Sequence, residues 1–378
     1  MDDFASKSFW LGADSYTPGP SLAGDLDVDV AIVGAGFTGM STAFHLHQAD
    51  PGLRIAVLES DVVGYGASGR NAGFSMTKIG MMHSFTATRF GKAKAKEAHL
   101  YADRAVTLLK DLVEDLGLDC DYEHSGFLWV ATSEKYSQRL LKEIALVHRL
   151  GITGINLIDH DELTARVDSP LYVGPAWWEP NTGILNPAKL SRAWHGVLDR
   201  VQVPVYENTP VTEVVPGYGR TRVVTPRGTV TARKVVLATN AWSHEFAQLT
   251  RKQVPVWTYI VLTEPLTDAQ RESIGWAGRE GVEDFRDLVH YYRLTADNRL
   301  LMGGRDVALG DGRSMGFDDS PATWRRLRED VQSIFPGLRG VQFSHMWGGP
   351  VSATLDMFPA IGFAGSRDIV YSIGCVGH

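Results

Sequence analysis

Gly34, Gly36 and Gly39 are spaced as G-x-G-x-x-G, with Phe37 and Thr38 between the last two, and Glu59 follows Gly39 by 20 residues. In such a set the first glycine permits a tight turn and the second lets backbone approach a pyrophosphate. The third lets the new helix pack close to the strand before it, and the acid accepts hydrogen bonds from ribose hydroxyls. The chemistry this spacing implies is dinucleotide binding. A carboxylate at 59 disfavours a 2′-phosphate, which leaves FAD or NAD. A second glycine-rich stretch, Val62 to Ser75, can bring backbone N–H groups to a flat or anionic ligand, and taken alone reads equally well as a surface loop.

The elements that must hold these residues are legible around them. Val30 to Val33 is apolar throughout, as in a parallel strand buried on both faces. Phe37, Met40 and Phe44 recur at helical spacing, so a helix starts inside the motif and directs its N-terminal N–H groups at phosphate. Arg54 to Leu58 is the second strand. Residues 1 to 27 read as an irregular arm anchored by Phe9 and Trp10. Helices are expected over Ser84 to Leu116, Glu134 to Leu150, Pro187 to Leu198 and Thr323 to Phe335, the last stopped by Pro336. Strands are expected at Gly126 to Thr132, Val203 to Tyr206, Val211 to Val215, Arg222 to Thr225, Val230 to Thr231 and Val235 to Ala238. Aromatic strands run from Val254 to about Gly304, and a final strand covers Asp368 to Ile373. Met346 to Gly362, with its glycines and prolines, reads mostly as loop.

The 378 residues carry a net charge of -7, which leaves no general basic field for nucleic acid. The one basic cluster, Arg89, Lys92, Lys94 and Lys96, reads as a solvated helix face. No apolar run is long enough to span a membrane, and the first residues lack the pattern of a secretory signal. Two cysteines, Cys120 and Cys375, fit a reducing compartment, so a cytoplasmic location is expected. His45 and His47 are two apart on a helix and cannot chelate together, and no metal is expected.

The arm ending LAGDLDVDVAIVGAGFTG, the loop GYGASGRNAG, the strand and turn VVLATNAW, the segment WGGPVSATLDMFPAIG and the terminal IGCVGH occur in the order found in one family. The chain resembles the FAD-dependent amine and amino-acid oxidoreductases related to D-amino-acid oxidase and sarcosine oxidase, and within them the gamma-glutamylputrescine oxidoreductase branch. The resemblance implies a mixed α/β fold. A Rossmann-like FAD-binding domain (28–90, 187–250 and 340–378) would be interleaved with a substrate domain on an antiparallel or mixed sheet (91–186 and 251–339).

It implies that Gly34, Gly36, Phe37, Thr38 and Gly39 hold the FAD pyrophosphate, with Glu59 and Ser60 at the adenosine ribose. Gly66, Ala67, Ser68, Gly69, Arg70, Asn71, Ala72 and Gly73 would follow the diphosphate and flavin. Val211 would meet the adenine region, and Ala238, Thr239, Asn240 and Trp242 would line the cofactor. Gly348, Gly349, Asp356, Ile361, Gly374, Gly377 and His378 would lie near the flavin ring. Arg70 stands where some relatives carry a flavin-linked histidine, and Gly349 or Pro350 where others carry a linked cysteine, so noncovalent FAD is expected. Leu301 stands where sarcosine oxidases place a lysine that promotes reaction with oxygen, which leaves oxygen or another acceptor open. Family members continue with a helix past the final turn, so the sequence is expected to be a fragment.

The activity implied is hydride transfer from an amine carbon to flavin N5, giving an imine that water hydrolyses. Trp257 and Tyr259, two apart on one strand, with Tyr291, Arg293 and Arg305, are the candidates for orienting the substrate, an arginine fork binding any carboxylate. Two alternatives are a related flavoenzyme for an N-methyl amino acid or aminophosphonate, and a flavin-binding fragment without turnover.

Overall fold

The computed structural model describes residues 3–310 and 314–376. Two sheets organise them. In the first, five parallel strands lie in the order Ile369–Ile373, Gly228–Leu237, Leu26–Val33, Ile55–Leu58 and Val205–Tyr206, with Ala360–Phe363 added antiparallel at one end. The apolar run at 30–33 sits at the centre of this sheet because neighbours on both sides complete its hydrogen bonds, helix residues such as Met40, Phe44 and Trp194 cover one face, and Val214, Val223, Phe246 and Leu249 cover the other. The strands expected separately at Val230–Thr231 and Val235–Ala238 are one ten-residue strand, Gly228–Leu237, which ends one residue before Ala238. Its first half pairs with Thr221–Thr225 and residues 230–237 with Leu26–Val33, so pairing carries it through the polar Arg233 and Lys234.

The second sheet runs through Val254–Thr263, Leu300–Gly304, His290–Leu294, Gly281–Asp284, Phe127–Val130 and Ala176–Glu179. One expectation is corrected here. The stretch expected as loop from Met346 contains most of an eleven-residue strand, Phe343–Ala353, and a further strand at Ala360–Phe363. Among the described residues Phe343–Ala353 pairs only with Val254–Thr263, leaving one edge without a strand partner, and an edge is where Pro350, opposite Trp257, is tolerated. The helix expected over 84–116 is likewise two helices, His83–Phe90 and Lys92–Leu116, parted at Gly91, whose φ of 90° a helix does not allow. The arm, expected as irregular, carries a 3-10 turn at Phe4–Lys7 and a short helix at Phe9–Gly12.

The two faces of the second sheet have different partners. Leu128, Val130, Trp257, Tyr259, Val261, Val282 and Tyr292 pack beneath the Pro321–Ile334 helix, through its Leu327 and Val331. On the opposite face Ile260, Leu262, Leu301 and Trp347 meet Trp10, Leu11, Ala72 and Ala188. The second face therefore looks toward the loop that follows the nucleotide motif.

Candidate active site

Gly34 adopts φ of 103°, closed to most side chains, and a Cβ there would come within 2.7 Å of the Ala238 carbonyl oxygen. A Cβ on Gly36 would lie 2.9 Å from Ser68 Oγ, which accepts the Phe37 N–H at 3.0 Å. The Phe37–Ala49 helix thus begins against the 66–73 loop, with the first-turn N–H groups of Thr38 and Gly39 lacking intrahelical acceptors. Glu59, 8% exposed, accepts from the Ala35 N–H at 2.7 Å, the Asp61 N–H and the Ser60 hydroxyl. Burial pushes its carboxyl up, against the pull of those donors.

The remaining expected cofactor residues gather on the same loop. The Trp242 ring lies against Gly66, and Asn71 receives the Trp10 indole N–H on its carbonyl at 3.0 Å. Gly73 presents its carbonyl to Arg293 at 3.1 Å. Gly349 packs on the Arg70 side chain, and the Trp347 indole donates to the Arg70 carbonyl at 2.8 Å. Gly374 donates to Ser352, Ser352 to Gln253, and Gln253 to the Ala241 carbonyl, which ties the final turn to the segment carrying Ala238, Thr239 and Asn240. Val211 packs at the margin of the first sheet's core.

Two expected residues stand apart. Asp356 closes its own turn through Thr354 and the Phe358 N–H, and Ile361 is 77% exposed on the outermost strand. Gly377 and His378 lie outside the described residues.

Strand register divides the substrate candidates between the two faces. Trp177, Trp129, Glu283, Tyr291, Gly303, Ile260 and Trp347 are successive cross-strand partners, and they form one row on the face toward the 66–73 loop. The Tyr291 ring lies over Gly303, where a Cβ would come within 2.3 Å of it. Arg293 shares this face, 2% exposed above the Trp10 ring, with burial pulling its guanidinium down to about 9.

Trp257 and Tyr259 are on the other face. The Trp257 indole donates to Asp318 at 3.1 Å and the Tyr259 hydroxyl to the Phe317 carbonyl at 3.0 Å. Arg305, at φ of 68°, is paired with Asp330, which also binds His290 at 2.9 Å. Three of the five candidates are therefore committed to the helix-covered face, and Tyr291 and Arg293 are the two that face the loop. Sequence reasoning passed over Lys78, Trp129, Trp177, Glu179 and Glu283 on that side. The available signal was acidic residues inside a short strand flanked by apolar ones, as Glu283 and Asp284 in GVED.

A family model described as FAD dependent oxidoreductase matches residues 29–378. The chain belongs to this family. It is 30% identical to the gamma-glutamylputrescine oxidoreductase of Escherichia coli K12, over the whole of this chain and 86% of that protein. It is 24% identical to the sarcosine oxidase subunit beta of Rhodobacter capsulatus, over 88% of this chain and 76% of that one. The fold is that of the Geobacillus kaustophilus glycine oxidase, with a TM-score of 0.77 at 21% identity, covering 92% of this chain and 89% of the other.

The chain is thus an FAD-dependent oxidoreductase related to amine and amino-acid oxidases, and the residues present fit that cofactor. Helix N-terminal donors, a buried carboxylate beside them and glycines at which a Cβ would strike the surrounding turns, keeping those turns close-packed around the helix start, are what a flavin dinucleotide requires.

Arg70 reaches from this loop to Asp318 at 3.1 Å, stacks on Tyr65, and donates to the Tyr65 carbonyl. Its side chain is 2% exposed and that of Asp318 25%. Removing a buried partner leaves the opposite charge less compensated, here with Lys7 at 3.3 Å and the Trp257 indole still holding Asp318. Arg70→Met is expected to lower unfolding free energy by roughly 2 kcal/mol, the partial exposure of Asp318 keeping it below the fully buried case. Urea denaturation checks this, and an unchanged midpoint would show that the pair contributes nothing.

Proposed function

We propose that this enzyme oxidises a primary or secondary amine, with a gamma-glutamylated polyamine the leading substrate. The observation that carries the reading is the row on the loop-facing side of the second sheet. It places Glu283, buried and paired with Lys78 at 3.3 Å, between the aromatic rings of Trp129 and Tyr291, so that the row offers aromatic walls to the alkyl chain of an amine. The 30% identity to gamma-glutamylputrescine oxidoreductase supports the same substrate class.

In this reading the first sheet, with Gly34, Gly36, Gly39, Glu59, the 66–73 loop and the 238–242 turn, holds FAD noncovalently. The second sheet supplies the substrate side. Bound FAD supplies the two-electron acceptor, so the amine loses two electrons and two protons to become an imine, and water converts this to a carbonyl compound and free amine. Tyr291 supplies an aromatic wall whose hydroxyl stays protonated, since burial pushes it up to about 12. Arg293 fixes the Gly73 end of the loop. Apolar residues at 260, 262 and 301 exclude water between the sheets.

Anaerobic visible spectra with gamma-glutamylputrescine, putrescine and sarcosine test the proposal. Bleaching of the oxidised flavin band is expected, fastest with the glutamylated amine. A flavin band that none of the three bleaches would sink the amine reading.

A further inference from the structure

The basic cluster at the start of the Lys92–Leu116 helix takes no part in the proposed oxidation, and its placement is electrostatically adverse. A helix favours acids at its N-terminal end and bases at its C-terminal end, where each meets the opposite pole of the dipole. This helix has the reverse arrangement. Its first turns carry Lys92, Lys94 and Lys96, with Arg89 just before them, and its last turns carry Asp111, Glu114 and Asp115. Lys94 pairs with Glu97 at 2.6 Å and Lys110 with Glu114 at 3.9 Å, which still leaves positive charge in excess at one end and negative charge at the other.

Between the two ends the helix presents apolar side chains to solvent. Leu100, Tyr101 and Leu108 are 40%, 62% and 50% exposed, on the side away from Ala95, His99, Ala102 and Val106, which pack inward. At 25 residues the helix is about 37 Å long, enough to form a seam along its own length.

We infer that this face is the interface of a two-fold dimer, and that its occupant is the same helix of a second copy, running antiparallel. A two-fold contact requires a patch that complements itself. A helix with a basic end, an apolar middle and an acidic end does so when its copy is reversed, because each basic end then lies beside an acidic one. The opposed dipoles add to the attraction, and Leu100, Tyr101 and Leu108 of both copies fill the middle of the seam. An anionic lipid surface suits the face less well, since Asp111, Glu114 and Asp115 would be repelled by it. One helix from each copy makes a small interface by the standard of stable complexes, so the dimer belongs in the micromolar range.

Sedimentation equilibrium of the FAD-loaded full chain tests the inference. A dimer is expected at about 50 µM, with a dissociation constant at least about tenfold higher in 0.5 M salt than in 0.05 M, because the pairs at its ends are screened. The double variant Lys92→Glu with Lys94→Glu makes the helix acidic at both ends, and Asp111→Lys with Asp115→Lys makes it basic at both. Each is expected to be monomeric alone, and an equimolar mixture of the two to form a dimer again. All four positions are exposed and each reversal improves the match to the helix dipole, so both variants are expected to fold and keep their flavin.

A parent chain that stays monomeric to about 100 µM would overturn the dimer. A dimer that survives both reversals would do the same, since it must then use another face, and so would a mixture of the reversed variants that fails to associate. Binding of the parent to phosphatidylserine vesicles in place of self-association would give the face to a membrane instead.

Discussion

Gly39→Val is expected to yield a protein that unfolds at lower temperature and is purified without flavin. A Cβ at this position would stand 1.9 Å from the Gly34 carbonyl oxygen and 3.4 Å from Ile32 Cγ2. The obstacle is backbone, fixed by the turn at Gly34 and by the Gly34 N–H donating to the Leu58 carbonyl at 2.8 Å. No rotamer change relieves it. The Phe37–Ala49 helix would have to lift off the strand, separating Met40, Ala43 and Phe44 from Ile32 and Val57.

Overpacking of this kind costs at least about 3 kcal/mol, and here it also moves the helix terminus that faces the phosphates. Thermal melts and the flavin-to-protein absorbance ratio measure the two consequences separately. Gly39→Ala presents the same Cβ with the least added bulk and is expected to show both effects in milder form. If that variant melts like the parent and keeps its flavin, the close approach of helix and strand is not what the glycine serves.

The same glycine explains why the nucleotide half of the site could be read from the sequence. Its constraints are local: a turn, a helix start and a strand end lie within six residues, and each leaves its mark on residue type. Glu59 was legible because one helix and one strand fix its distance from the turn. The substrate half depends on register between distant segments. The two-residue spacing of Trp257 and Tyr259 correctly implies a shared face, but alternation cannot say which face looks toward the loop. The helix at 321–334 decides that, and it lies some sixty residues further on. Lys78 and Glu283 are 205 positions apart, so nothing in the neighbourhood of either announces the other. The Phe343–Ala353 strand was hidden for a related reason. Its glycines accommodate Arg70 and Tyr259 at close range, and its proline occupies an edge, so packing needs removed the usual strand composition.

Glu179 gives the second large effect, and it is one of pH. Its carboxyl accepts the Thr77 hydroxyl and faces the indoles of Trp129 and Trp177, and burial raises it from 4.5 to about 7. A folded protein that holds this proton more tightly than the unfolded chain is favoured by the group at low pH. That contribution is complete below about 4.5, declines as pH rises, and is gone above about 7. A shift of this size corresponds to about 3 kcal/mol over the whole range.

Glu179→Gln keeps the position neutral at every pH while its amide oxygen still accepts from Thr77. The variant's stability relative to the parent is therefore expected to rise by roughly 2 kcal/mol between pH 5.5 and pH 8. Any constant cost of placing an amide there cancels in that difference, as do all other titrating groups common to both proteins. Urea midpoints at the two pH values supply the number. Parallel pH profiles for the two proteins would mean that Glu179 is already ionised at pH 5.5, and that the Thr77 hydroxyl, the two indoles and Lys78 together compensate for its burial.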